Sequence, residues 1–227
     1  MLQGKKIIIT SGGTLEKWDQ VRGHTNLSKG IMGCYLAEAA LDLGAEVIYM
    51  HGYFAKLPDR IAQMRKIGFE GIEDLSEKLQ TLLQEELIDI VIMAVAGSDW
   101  VVDQVFDQAG NALEAGGKMS SDEPPTIRFK KAPKILPQIK GWAPNVTLVG
   151  FKLEATTDPN YLIERAKLRM QTSKAQYTVA NSSASLYGND ALHLIVRHDG
   201  QVTEANGKKQ ASEKLMALLA GGEANGE

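Results

Sequence analysis

The chain has 227 residues, 44% hydrophobic and 23% charged, with a formal net charge of −3. These are ordinary values for a globular protein of one large α/β domain, or of a domain with a substantial insertion. The charge argues against a generally basic nucleic-acid binder, and the single cysteine, Cys34, excludes an intrachain disulfide. No apolar run approaches the roughly 20 residues that a membrane helix needs, so a soluble, cytoplasmic protein is expected, with neither nucleic acid nor membrane as partner.

Residues 6–10 form a short apolar run that enters Ser11-Gly12-Gly13-Thr14. An apolar run bounded by glycine reads as a buried parallel strand, and the residues after such a strand sit where open α/β sheets bind ligands. Gly12 and Gly13 allow a close approach of backbone to ligand, and Ser11 and Thr14 offer hydroxyls. The spacing is neither Gly-x-Gly-x-x-Gly nor a Gly-Lys-Ser/Thr phosphate loop, so the opening is Rossmann-like without the dinucleotide fingerprint.

Further strand-like runs lie at 46–51, 88–94, 146–151 and 177–180, with a weaker one at 67–72. Helical stripes fall between them. Met32, Leu36, Ala39, Ala40 and Leu43 form one, closed by Gly44; Leu75, Leu79, Leu82 and Leu83 form another; Asp158-Pro159 opens a third. Residues 99–128 carry Gly110, Gly116, Gly117, Pro124 and Pro125 with little periodicity, which reads as a long functional loop. Residues 191–197 and 201–204 flank His198-Asp199-Gly200 as a late hairpin. The expected fold is α/β, a Rossmann-like three-layer arrangement with a mainly parallel sheet. It includes a flap at about 99–130 and the hairpin, within a single domain over 1–220, and 221–227 form a mobile tail.

Four groups could carry chemistry. Arg22, Asn26, Ser28, Lys29, Gly30 and Gly33 fall between the first strand and its helix, where unpaired N–H groups attract anions; the alternative is a capped helix with a solvated arginine. Asp99 ends the run Ala94-Val95-Ala96-Gly97-Ser98-Asp99-Trp100 and either binds ribose, metal or amine, or caps a turn. Lys118, beside Gly116-Gly117, either swings over a polyphosphate or is a solvated loop lysine. Arg165, Lys167, Arg169 and Lys174 form either a triphosphate site near Phe151 or a solvated basic face. The four histidines show no metal-ligand spacing.

Taken in order, these segments resemble the phosphopantothenate–cysteine ligase family of coenzyme A biosynthesis. The resemblance is carried by Thr10-Ser11-Gly12-Gly13-Thr14, Val21-Arg22 with Asn26-Leu27-Ser28, the strand end at 94–100, Gly150-Phe151-Lys152-Leu153-Glu154 and Val179-Ala180-Asn181. The flap reads Lys118-Met119-Ser120-Ser121 where many members have Lys-x-Lys-Lys, and Ser28-Lys29-Gly30-Ile31 replaces a usual Ser-Ser-Gly-Lys/Arg.

The resemblance implies a ligase that activates 4′-phosphopantothenate with CTP, placed ahead of ATP, and joins it to L-cysteine, releasing NMP and pyrophosphate. It implies Asn26, Lys118 and Arg22 in catalysis, and Gly12, Gly13, Thr14, Asp99, Phe151 and Asn181 around the nucleotide. It places Asn26, Ser28 and Gly30 at the substrate, Mg²⁺ on the nucleotide phosphates with no protein metal site, a homodimer, and a free-standing ligase without flavin. A nicotinamide-dependent Rossmann oxidoreductase, or a non-catalytic relative of the ligase, are the competing expectations.

Overall fold

The computed structural model describes residues 1–114, 119–188 and 191–221. In chain order the strands are β1 (Lys6–Ser11), β2 (Leu15–Lys17), β3 (Gly23–Thr25), β4 (Glu46–Gly52), β5 (Arg65–Phe69), β6 (Ile90–Met93), β7 (Trp100–Phe106), β8 (Thr126–Lys131), β9 (Thr147–Glu154), β10 (Tyr177–Ser182), β11 (Leu192–Arg197) and β12 (Val202–Asn206). The helices are α1 (Ile31–Asp42), α2 (Ile72–Glu85), α3 (Ile139–Trp142), α4 (Pro159–Ser173) and α5 (Gly207–Leu219).

Eight strands form one sheet in the order β12-β11-β10-β9-β6-β1-β4-β5. From β10 to β5 all neighbours run parallel, and β11 and β12 close one edge antiparallel. Strands of a parallel sheet are covered on both faces, which is why β1 reads as an unbroken apolar run. Its residues then divide by the two-residue period. Ile7 and Ile9 pack with Leu36 and Ala40 of α1 and Leu215 and Met216 of α5. Ile8 packs on the other face with Leu75 and Leu79 of α2 and Leu162 and Ala166 of α4.

Local signals set the helix ends. Asp158 Oδ1 accepts the Asn160 N–H at 3.0 Å, and Pro159 occupies the first turn of α4, where its missing N–H costs nothing. Helix α1 starts without a side-chain cap; Gly30 precedes it in the left-handed region, leaving the first N–H groups unpaired by any cap.

Two expectations are corrected. The weak run at 67–72 is divided: β5 ends at Phe69 and Ile72 begins α2. Residues 99–128 are not wholly irregular, because β7 and β8 pair antiparallel at the root of the flap. Val101 and Val105 are its buried residues, and a register shift between Val102 and Gln104 breaks the alternation that would have revealed it. A further small hairpin, β2 with β3, carries the segment after Gly12-Gly13-Thr14.

Candidate functional site

The strand order reverses beside β1. The chain goes from β1 through α1 to β4 on one face, and from β5 through α2 to β6 on the other. Open α/β sheets bind ligands outside the carboxyl ends of the strands at such a reversal. Here the two strand ends are tied together: Ala96 N–H donates to Gly12 O at 2.8 Å, and Thr14 N–H to Ala96 O at 3.3 Å. Asn26 adds a side-chain tie, its Nδ2 donating to Ala96 O at 2.9 Å and to Gly97 O at 3.2 Å. Asn26 itself is exposed, so its amide stands at the mouth of the crevice.

The Gly12-Gly13-Thr14 turn has a different physical reason from the one its sequence suggests. A Cβ on Gly12, at φ +83°, would lie 2.5 Å from Ala55 Cβ, and one on Gly13 would lie 2.8 Å from Asn26 O. Both glycines therefore admit neighbouring protein. Thr14 is fully buried, and its Oγ1 accepts the Ser98 N–H at 3.0 Å. Ser11 Oγ donates to Gly30 O and accepts from Tyr49 OH at 2.8 Å. These hydroxyls hold the loops in register.

Ser28 and Gly30 line a cavity of about 210 Å³ on the α1/α5 face, with Phe151, Asn181, His193 and Lys208. The cavity begins at the N-terminus of α1, an end that favours anions. Asn181 Nδ2 donates to Ser185 Oγ, and Lys208 Nζ donates to Ser185 O. Asp99 stands apart in a smaller cavity of about 120 Å³ on the opposite face, with Phe151 and Arg169, and pairs with Lys134. Val95 and Phe151 line both cavities.

Arg22 belongs to a neighbouring cluster. Its Nη1 lies 3.5 Å from Asp19 Oδ2, whose carboxylate side chain has no exposed surface. Asp19 Oδ1 accepts the N–H groups of Val21 at 2.8 Å and Arg22 at 2.6 Å, and Oδ2 accepts that of Met119 at 3.3 Å. Burial pushes this carboxyl up, but the three N–H donors and Arg22 more than offset it, holding its pKa below the ordinary 3.8. The flap segment that follows Lys118 is thus anchored to the loop carrying Arg22. Lys118 itself lies outside the described residues.

Asp19→Asn keeps an oxygen for Val21 and Arg22 but presents an amide to Met119. It should loosen the segment at Met119 from the loop carrying Arg22, seen as faster amide hydrogen exchange at Met119. Because the folded-state pKa is lowered, the Asp19 contribution to stability is present above pH 3.8 and lost as pH falls below it. Thermal unfolding of the wild type should accordingly show an acid loss that Asp19→Asn lacks.

The basic cluster on α4 is divided among different partners. Arg165 Nε donates to Glu154 at 2.9 Å, and Arg169 faces the smaller cavity. Lys167 and Lys174 line a depression shared with Arg197 and Asp199. Sequence reasoning missed Asp19, Lys208 and His193. A histidine inside the otherwise apolar run of β11 was the available signal for the last of these.

A mainly parallel sheet with a crevice at its strand reversal, and an uncapped helix N-terminus opening into it, defines an open α/β protein of the three-layer class. More narrowly, the chain belongs to the DNA/pantothenate metabolism flavoprotein C-terminal domain family, whose model matches residues 2–221. It is 32% identical over 198 residues to the coenzyme A biosynthesis bifunctional protein CoaBC of Thermococcus kodakarensis, covering 87% of this chain and 46% of that protein. The chain thus spans about half the length of that relative. The DNA/pantothenate metabolism flavoprotein of Streptococcus pneumoniae has a similar structure, with a TM-score of 0.84 at 26% identity, covering 96% of this chain and 99% of that one. The C-terminal domain of a coenzyme A biosynthesis bifunctional protein CoaBC gives 0.74 at 27% identity, over 96% and 94%.

Proposed function

We propose that this chain is a phosphopantothenate–cysteine ligase, with residues 1–220 as a single ligase domain working in the cytoplasm as a homodimer. The carboxylate of 4′-phosphopantothenate attacks the α-phosphorus of CTP, or less readily ATP. A carboxylate O–P bond forms as the bond to pyrophosphate breaks. The amine of L-cysteine then attacks the acyl carbon, the amide forms and the nucleoside monophosphate leaves with the carboxylate oxygen. A carboxylate is a poor acyl donor until such a leaving group is attached, so the protein positions the reactants and stabilises charge.

The observation that carries this reading is the Asn26 amide, fixed on the carbonyls of Ala96 and Gly97 just beyond β6, beside the cavity lined by Phe151 and Asn181. The family match over residues 2–221 and the name of the CoaBC relative support it. Asn26 orients the acyl group, with Ser28 and Gly30 beside it; Phe151 and Asn181 hold the nucleoside, Asp99 lies across Phe151, Arg22 acts from the loop between β2 and β3, and Lys118 is assigned to catalysis by the family resemblance. Gly12, Gly13 and Thr14 shape the turn beneath. Mg²⁺ enters as the partner of the triphosphate, whose charge it neutralises.

The test is pyrophosphate release with 4′-phosphopantothenate, L-cysteine and each nucleoside triphosphate in turn. Release should require all three reactants and be fastest with CTP. No release with any nucleotide would remove the ligase reading.

A further inference from the structure

Among the described residues, His193 has a buried nitrogen without an explanation in the fold. Its side chain belongs to β11, opposite Asn181 of β10, and the residue is only 1% exposed. Nδ1 lies 2.7 Å from the carbonyl oxygen of Ala191. A carbonyl only accepts, so Nδ1 carries the proton and Nε2 carries a lone pair. That Nε2 is buried and has no hydrogen-bond partner. Burial, with a smaller contribution from the Lys208 charge, lowers the imidazole pKa and keeps the ring neutral. An orphaned acceptor in this position has a cost, because its lost hydration is not replaced.

The ring lines the same cavity as Phe151, Asn181 and the start of α1. Adjacent strands are about 4.8 Å apart, so from Phe151 on β9 to His193 on β11 is roughly 10 Å. The N-terminus of α1 favours phosphate at one end of this cavity. A nucleoside reaching away from it across Phe151 and Asn181 brings the far edge of its base to His193.

Resting on the proposal that this cavity holds the nucleotide, we propose that His193 Nε2 accepts a hydrogen bond from the exocyclic amino group of the base. His193 is then a specificity-determining residue for amino-bearing bases, cytosine and adenine, over their keto counterparts. A keto oxygen would face the lone pair acceptor to acceptor and leave both unpaired. Nε2 is covered by the fold, so the bond forms as the occupant displaces the Lys208 side chain or Leu186, which line the cavity with it.

The experiment compares CTP with UTP, and ATP with ITP, in kcat/KM and in calorimetric binding of the corresponding monophosphates. Wild type, His193→Leu and His193→Gln are measured, with unfolding curves for each. The wild type should favour each amino base over its keto counterpart about 10- to 100-fold. His193→Leu should bring that ratio near one by weakening the amino nucleotide, while His193→Gln, which returns an acceptor, should restore part of it. Should the leucine variant fail to fold, the wild-type ratio and the glutamine variant decide the matter. Equal use of amino and keto bases by the wild type, or an unchanged preference in a folded His193→Leu protein, would overturn the assignment. So would a loss in His193→Leu that is equal for amino and keto ribonucleotides, which would place a ribose hydroxyl at Nε2. Amino-selective monophosphate binding without pyrophosphate release would remove the ligase reading and leave the His193 assignment standing.

Discussion

Asn26→Ala should lower kcat/KM about 10²- to 10³-fold, the usual cost of removing one preorganised polar group from a reacting centre. The side chain is exposed, and its Nδ2 links the carbonyls of Ala96 and Gly97 to the loop that follows β3. Without it, the ends of β1 and β6 keep their backbone ties through Gly12, Thr14 and Ala96, but the mouth proposed to bind the acyl group loses its side-chain strut. Water can reach the released carbonyls at an exposed position, so stability should fall by only about 1 kcal/mol. Asn26→Asp should not rescue activity, because a carboxylate cannot donate to Ala96 and Gly97 and would repel a carboxylate substrate. Steady-state kinetics beside thermal unfolding measure the two effects separately. Equal losses of folded fraction and of activity would assign Asn26 to stability alone.

Gly52→Ala should have the largest effect on stability, about 3 kcal/mol or more. A Cβ there would lie 2.1 Å from Gly13 O and 3.1 Å from Gly13 C. Both are backbone atoms of the turn after β1, so no flexible side chain can move aside. Relief requires separating the end of β4 from the Gly12-Gly13 turn, and with it the strand ends to which Asn26 is tied. Gly141→Ala in α3 supplies the contrast: its Cβ would meet nothing within 4 Å, and alanine suits a helix better by about 1 kcal/mol. Denaturant midpoints for the two variants should therefore move in opposite directions. A Gly52→Ala protein as stable as wild type would mean that the turn is free to shift.

The parallel strands were legible because burial on both faces leaves uninterrupted apolar runs, as in Ile7-Ile8-Ile9 and Ile90-Val91-Ile92-Met93. Asp158-Pro159 marked the start of α4 because capping and proline geometry act within one turn. The β2/β3 hairpin was not legible, since three-residue strands leave no periodicity to detect. The β7/β8 ladder was hidden by its register shift. At the site, the proximity of Ser28, Gly30, Phe151 and Asn181 followed from their placement at strand ends and a helix start. The inward turn of Ser11 and Thr14 depended on Tyr49, Gly30 and Ser98, distant in sequence. Asp19 was missed for the same reason, its meaning resting on a Met119 contact that only the fold creates.

The central claim is that the carboxylate of 4′-phosphopantothenate is activated by attack on the α-phosphorus of the nucleotide. Substrate labelled with ¹⁸O in that carboxylate, turned over with CTP and L-cysteine, tests this directly by mass spectrometry of the products. One labelled oxygen should appear in the phosphoryl group of the nucleoside monophosphate, with the pyrophosphate unlabelled. Amide formation with no label in the monophosphate, or with label in a phosphate derived from the β,γ end, would contradict it.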